Sequence, residues 1–139
     1  MGQRDEDAVG AAIRLLRHRD RSTAELEARL AQRGVGDAER EQALETLERI
    51  GYVDDERFAR SRAEQLAARG AGDALIRHDL ESRGVGVKEI EAALEGLEPE
   101  RERAATLVAR RGRSAATARY LAGKGFDGEV VAEVVAPEV

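Results

Sequence analysis

The chain of 139 residues has no cysteine and no tryptophan, only two prolines, and aromatic side chains at only 3% of its positions. Without cysteine, disulfide bonds and thiolate metal sites are excluded. No apolar run approaches the roughly 20 residues that a membrane-spanning helix needs, so we expect no role in a membrane. The first residues are polar and acidic, unlike a signal peptide. We therefore expect a cytoplasmic protein.

Charged residues make up 37% of the sequence, and the net charge is −5. An acidic chain is a poor candidate for an indiscriminate nucleic-acid-binding protein, whose affinity comes mainly from neutralising phosphates. This charge does not exclude a local basic face. The composition is rich in alanine, glutamate, leucine and arginine, which are all good helix formers, and β-branched runs are nearly absent. The composition predicts an all-α fold.

A basic residue, a glycine and then a valine or phenylalanine follow one another at three places in the chain. The glycines are Gly34, Gly84 and Gly125, and each fits the left-handed position that ends a helix. The apolar residue that follows each glycine is expected to pack back on the helix just completed. The surrounding residues also match, which indicates a tandem repeat. The first copy departs from the others at Arg40, where they have an aliphatic residue, and this predicts a looser or more exposed first unit.

Each copy contains three stretches in which apolar residues recur with helical spacing. We predict helices at about 8–18, 22–33, 37–50, 55–69, 73–83, 87–97, 99–111, 114–124 and 128–136. The predicted units are 8–53, 54–98 and 99–139. A unit of about 40 residues buries little apolar surface and gains stability by stacking on its neighbours. The expected architecture is three tandem three-helix modules that form an elongated, curved helical repeat.

Several predicted helices begin at recognisable capping residues. Ser22 and Glu25 have the spacing of a capping box. Asp73 and Ser114 are expected to cap the helices that follow them. Pro99 fits the first position of its helix.

One segment, Gly51-Tyr52-Val53-Asp54-Asp55-Glu56-Arg57-Phe58-Ala59, joins the first two units. Gly51 is expected to end one helix and Asp54 to cap the next, and the spacing of the two apolar residues around this cap predicts a hydrophobic staple between Val53 and Phe58. Because large side chains are rare here, we expect Tyr52 and Phe58 to fill the joint between the first and second modules. Phe126 is expected to play a similar part in the third module.

The same nine residues resemble the hallmark of the RecX family, which regulates the RecA recombinase. The segments Arg21-Ser22-Thr23-Ala24-Glu25-Leu26, Arg83-Gly84-Val85 and Lys124-Gly125-Phe126 resemble further elements of that family, so the resemblance extends from about residue 8 to residue 136. It implies tandem three-helix modules and a protein that binds the RecA–single-stranded DNA filament. It further implies a regulator that modulates, and in the main inhibits, filament extension, ATP hydrolysis, strand exchange and coprotease activity.

No group of residues predicts catalysis. Asp54, Asp55 and Glu56 follow one another at a helix start, and adjacent helical residues point about 100° apart, so they do not naturally share a metal ion. His18 and His78 are isolated and have no partner at metal-ligand spacing. We expect no enzyme activity, no cofactor and no metal.

The basic residues are the better candidates for contact with a partner protein or DNA. They are Arg57, Arg60, Arg62, Arg69, Arg110, Arg111, Arg113, Arg119 and Lys124. Asp54 and Asp55 are further candidates, for gripping a basic partner surface. For any single arginine, a solvated helix face paired with glutamate is the simpler interpretation. Gathered along the inner face of a curved rod, the arginines could form one track.

Two alternatives to a RecA regulator stay open from the sequence. One is a sequence-tolerant helical DNA-binding protein that acts without RecA, since three-helix units resemble helix-turn-helix modules in length. Its affinity for single-stranded DNA would fall steeply with added salt. The other is a helical-repeat scaffold for a different protein. Weak direct DNA binding is also expected to be possible for a RecA regulator. In each case we expect a monomer.

Overall fold

The computed structural model describes the backbone of residues 2–137 and the side chains of residues 8–137. Within this range the chain forms helices and no strand. The helices are α1 Gly2–His18, α2 Thr23–Gln32, α3 Asp37–Arg49, α4 Asp55–Ala68, α5 Asp73–Ser82, α6 Val87–Glu95, α7 Glu100–Arg111, α8 Ala115–Gly123 and α9 Gly128–Val135. The predicted α1 starts too late, because the helix begins at Gly2. The other eight predictions agree with the structure to within two residues.

The apolar core is divided into three separate clusters. The first is built around Leu26, Leu30 and Leu47, the second around Ile76, Leu80 and Ile90, and the third around Ala104, Leu121 and Val131. The closest helix packing occurs within the groups α1–α3, α4–α6 and α7–α9. We call these groups the first, second and third modules. The prediction of an all-α fold with three tandem three-helix modules is confirmed.

The three repeated glycines form equivalent corners between the second and third helices of each module. Their φ angles are 84° at Gly34, 76° at Gly84 and 88° at Gly125. After each glycine, the next backbone N–H donates over 3.1 Å to the carbonyl five residues earlier, which folds the apolar side chain back as predicted. Val85 and Phe126 are buried, whereas Val35 is only half-buried. The first corner is therefore the least covered, in line with the expectation from Arg40.

The capping predictions are confirmed at three helices and wrong at two. Ser22 and Glu25 form both bonds of a capping box, and the Asp54 and Ser114 side chains accept from backbone amides of the first turn. For α5, however, the N-cap is Gly72, and Asp73 is the first helical residue. Pro99 stands at the N-cap of α7 and not at its first helical position. Within the described range, no helix is both long and apolar enough to cross a membrane.

Candidate interaction surfaces

The segment between the first and second modules places its two buried apolar side chains in different clusters and leaves Tyr52 outside both. Val53 is buried in the first cluster and Phe58 in the second, so the predicted staple between them does not form. Phe58 also borders a hollow beside Arg19 and the first module. The prediction that Tyr52 fills the joint is wrong, because Val53 takes the buried place after the glycine turn. Tyr52 is 50% exposed.

The first joint, between the first and second modules, brings the start of α2 against the Gly84 corner. The Ser22 hydroxyl donates to the carbonyl of Arg83 over 2.5 Å. The methyl group of Ala24 packs on Gly84, where an added Cβ would lie only 2.4 Å away. Thr23 donates from its backbone N–H and its hydroxyl to Asp55, over 2.8 and 2.9 Å. Asp55 therefore caps a helix of the neighbouring module.

The second joint, between the second and third modules, repeats this arrangement at equivalent positions. The start of α5 meets the Gly125 corner, with Gly72 N–H donating to Lys124 O over 2.7 Å and Ala74 N–H to Gly125 O over 3.1 Å. Glu100, the first residue of α7 as Asp55 is of α4, accepts from the backbone N–H of Asp73 over 2.6 Å. The two joints are therefore built on one plan.

Arg103 strengthens the second joint from α7. Its guanidinium donates to the carbonyl of Ala71 over 2.9 Å and pairs with the Asp73 carboxylate. The guanidinium carbon also lies 6.0 Å from the centroid of the buried Phe126 ring. Asp73 thus belongs to the joint, from the first helical position of α5. Sequence reasoning did not single out Arg103 or Glu100.

A chain of ion pairs runs through the first joint. Arg62 holds Asp79 with two hydrogen bonds of 2.9 and 3.0 Å, Arg83 donates to Asp79 over 2.9 Å, and Arg83 also donates to Glu25 over 2.9 Å. The hydrogen bond from Arg62, followed by that from Arg83, holds the pKa of Asp79 below its ordinary value against the opposing effect of desolvation. Arg62, predicted as a partner contact, is therefore engaged inside the protein.

Four of the predicted basic residues come together near the second joint. A Cβ at Gly70 would lie 3.7 Å from the Tyr120 hydroxyl and 3.8 Å from Cε of Lys124. Arg69 directly precedes Gly70, Arg110 lines a hollow together with Gly70, and the Arg111 guanidinium carbon lies 3.6 Å from the centroid of the Tyr120 ring. We call Arg69, Arg110, Arg111 and Lys124, which lie around Gly70 at the second joint, the basic cluster.

The remaining predicted site residues are not part of this cluster. Arg57 donates to the carbonyl of Gly51 over 3.3 Å and is exposed. Arg60, Arg113 and Arg119 are also exposed. The structure assigns Asp54 a capping bond and Asp55 the bond to α2, so each has a structural partner. Of the residues described, no three His, Asp or Glu lie close enough to hold a metal ion.

Comparison with known protein families gives two matches along the chain. Residues 8–47 match the model "RecX, first three-helix domain", and residues 54–94 match "RecX, second three-helix domain". Together these two matches cover more than half of the chain, and they fall on the first and second modules.

Individual relatives agree with the family models. The chain is 39% identical over 109 residues to the regulatory protein RecX of Mycolicibacterium smegmatis, a match covering 76% of this chain and 57% of that protein. It is 39% identical over 134 residues to the regulatory protein RecX of Chromohalobacter salexigens, covering 90% of this chain and 88% of that protein. The chain thus spans little more than half of the mycobacterial relative.

A solved structure shares the fold over nearly the whole chain. The crystal structure of RecX from Lactobacillus salivarius superposes with a TM-score of 0.85, covering 97% of this chain and 96% of that one, at 18% sequence identity. At this identity the similarity concerns the arrangement of the helices, including those of the third module.

Proposed function

The chain belongs to the RecX family, and from that premise we propose that it binds the filament of RecA on single-stranded DNA and restrains it. Binding would limit filament extension and lower its ATP hydrolysis, strand exchange and coprotease activity. The protein would act in the cytoplasm, where recombination takes place, and without catalysis of its own. The observation that carries the proposal is the match of two consecutive RecX domains to residues 8–47 and 54–94.

Tandem modules are physically suited to a helical filament. Each module offers a small surface, and linked modules reach neighbouring subunits at high effective concentration, so many weak contacts add up. A net charge of −5 suits a protein that engages a protein–DNA filament better than one that coats naked DNA. The hydrogen bonds at the two joints support the modules in a defined relative orientation.

We propose the basic cluster as the part of the surface that meets phosphate or carboxylate groups of the filament. Arg69 and Lys124 follow the ends of α4 and α8, and Arg110 and Arg111 belong to the last turn of α7, so the second joint brings the second and third modules together here. Arg111 is held over the Tyr120 ring by a cation–π contact, which reduces the rotamer freedom lost on binding. Arg110 borders an open hollow and is exposed.

The first experiment measures ATP hydrolysis by RecA on single-stranded DNA with increasing amounts of this protein. We expect inhibition well below one molecule per RecA, because blocking a growing filament end requires few molecules. Inhibition only at equal stoichiometry would indicate competition for the filament groove. No inhibition at any ratio, together with no binding to the filament in co-sedimentation, would reject the proposal. Binding to single-stranded DNA without RecA, with a steep salt dependence, would favour direct DNA binding instead.

The second experiment tests the basic cluster with charge-matched variants. In the test variant, the four cations of the cluster are replaced by glutamine. In the control, glutamine replaces four other exposed cations, Arg17, Arg29, Arg49 and Lys88. Both variants lose the same charge, and both include residues from last helical turns. We expect the test variant to need at least about tenfold more protein for half-inhibition, which corresponds to about 1.4 kcal/mol. Equal loss in both variants would mean that only net charge matters.

A further inference from the structure

Two halves of a joint have no partner among the residues that the structure describes, one in the first module and one in the third. A joint needs a glycine corner and the start of the second helix from the module before it. The first module has a corner at Gly34, and among the described residues no atom lies within 4 Å of a Cβ placed there. At the two equivalent corners, such a Cβ would meet a neighbouring module at 2.4 and 2.6 Å.

The open corner has the same sequence as the corner of the first joint. Arg33-Gly34-Val35-Gly36 is identical to Arg83-Gly84-Val85-Gly86. A hollow of about 510 Å³ adjoins it, lined by residues that include Ala8, Ala11 and Arg33. The corner is therefore formed in the same way, φ angle included, but none of the described residues places a helix start on top of it.

The start of α8 is the matching open half, in the third module. Its N-cap is Ser114 and its second helical residue is Ala116, just as α2 begins with Ser22 and has Ala24 at its second position. Ser114, Ala115 and Ala116 are exposed, whereas Ser22 is buried in its joint. The Ser114 hydroxyl donates to Thr117 Oγ1 over 3.2 Å and could turn to another acceptor.

We propose that the start of α8 in one copy docks on the Gly34 corner of a second copy, which extends the row of modules from one chain to the next. Ser114 donates to the carbonyl of Arg33, and the Ala116 methyl packs on Gly34, as Ser22 and Ala24 do on the Gly84 corner. The contact joins two different surfaces, so it is head-to-tail and can propagate. This proposal does not depend on the proposed function.

The association is expected to be weak in solution. Within the chain, linkers hold the two halves of each joint at an effective concentration of about 1 mM, which compensates for a small contact area. Between chains that advantage is absent. A regular array of binding sites along a polymer would restore it by holding the copies side by side.

The test is sedimentation velocity of the full chain from about 10 µM to about 500 µM, a range chosen against that effective concentration. We expect the weight-average mass to rise with concentration. Ala116→Glu places a long side chain where the methyl would pack, and a carboxylate is well tolerated at a helix start. Gly34→Asn blocks the corner, since asparagine accepts positive φ better than most residues. Each variant alone should stay monomeric.

Matched controls separate the joint from general effects. Ala92→Glu repeats the alanine-to-glutamate change at an exposed position of α6. Gly51→Asn repeats the glycine-to-asparagine change at a glycine with φ of 83°, where no described atom lies within 4 Å of an added Cβ. Both should associate like the original chain. An equimolar mixture of Ala116→Glu and Gly34→Asn retains one intact half in each protein and should form a dimer that grows no further. A monomer at every concentration, or association unchanged in either blocking variant, would overturn the proposal.

Discussion

Replacing each corner glycine by alanine in turn separates the strain of the corner from the contact made across a joint. Gly34, Gly84 and Gly125 all have φ between 76° and 88°, so Gly34→Ala, Gly84→Ala and Gly125→Ala share the same backbone cost, about 1–2 kcal/mol. They differ only in what the new methyl group meets. At Gly34 it meets no atom of the described residues within 4 Å, so we expect the backbone cost alone.

At the other two corners the methyl group meets a neighbouring module. At Gly84 it would lie 2.4 Å from the Cβ of Ala24, which has no rotamer to move to, and at Gly125 it would lie 2.6 Å from the backbone nitrogen of Leu75. Such overlap costs about 1–3 kcal/mol more, because helices must shift to relieve it. The expected totals are about 2–5 kcal/mol for Gly84→Ala and Gly125→Ala.

The assay is urea unfolding followed by far-ultraviolet circular dichroism at low protein concentration. The slope of the unfolding free energy against urea concentration should be compared as well, since a loosened joint exposes surface before the modules unfold. Equal losses of stability in the three alanine variants would refute the contacts across the joints. A larger loss in Gly34→Ala than in the other two would also refute them, because the Gly34 corner would then have a contact that the described residues do not show.

Three further predictions concern the core, the ion pairs and the overall shape. Phe58→Ala should lower the free energy of unfolding by about 3–5 kcal/mol because Phe58 is 6% exposed, and a change near zero in urea unfolding would contradict its burial. Asp79→Asn should cost up to about 1 kcal/mol at neutral pH. Because the pKa of Asp79 is lowered in the folded protein, the Asp79 carboxylate contributes to stability above its ordinary pKa of 3.8. This contribution is lost as pH falls through the folded-state pKa, so the variant should lose less stability on acidification than the original chain. Parallel stability–pH curves would refute that assignment. Small-angle scattering should give a radius of gyration clearly above the roughly 14 Å of a compact domain of this length, and a value near 14 Å would reject the elongated shape.

The parts of the fold that obey local rules were predictable from the sequence. Helical spacing of apolar residues located the helices, and the three repeated glycines located the corners, because both depend on residues close in the chain. Ser22, Asp54 and Ser114 were predicted as caps for the same reason. Local rules failed at Gly72, whose N–H bonds to the carbonyl of Lys124 from the next module. A Cβ there would lie 2.5 Å from the backbone of Gly125, so the close approach requires a glycine.

The joints themselves were not predictable from any single residue. Asp55 was predicted to stand at a helix start and to be a candidate for gripping a basic partner surface, but its carboxylate accepts hydrogen bonds from Thr23 in the preceding module. A signal did exist, since α7 also begins with an acid, Glu100, at the equivalent position. This equivalence of Asp55 and Glu100 appears only when the first helices of the modules are aligned as well as their corners. Tyr52 was misjudged because its size suggested burial, while the smaller Val53 fills that place.

The two joints share one plan but differ in the hydrogen bonds that cross them. From this difference we expect the first joint to be the more flexible one. In the part that the structure describes, the second joint has two hydrogen bonds between backbone groups of different modules, and the first joint has none. The first joint relies on the Ser22 hydroxyl, the Asp55 carboxylate and the pair of Arg83 with Glu25. The side chains of this pair are partly buried, 22% exposed at Arg83 and 18% at Glu25, so salt screens it weakly, whereas phosphates of a nucleic acid would compete for its arginine. A polymer rich in phosphate would therefore loosen the first joint before the second. The basic cluster lies beside the second joint, so its four cations would keep their arrangement while the first module swings to reach a neighbouring site.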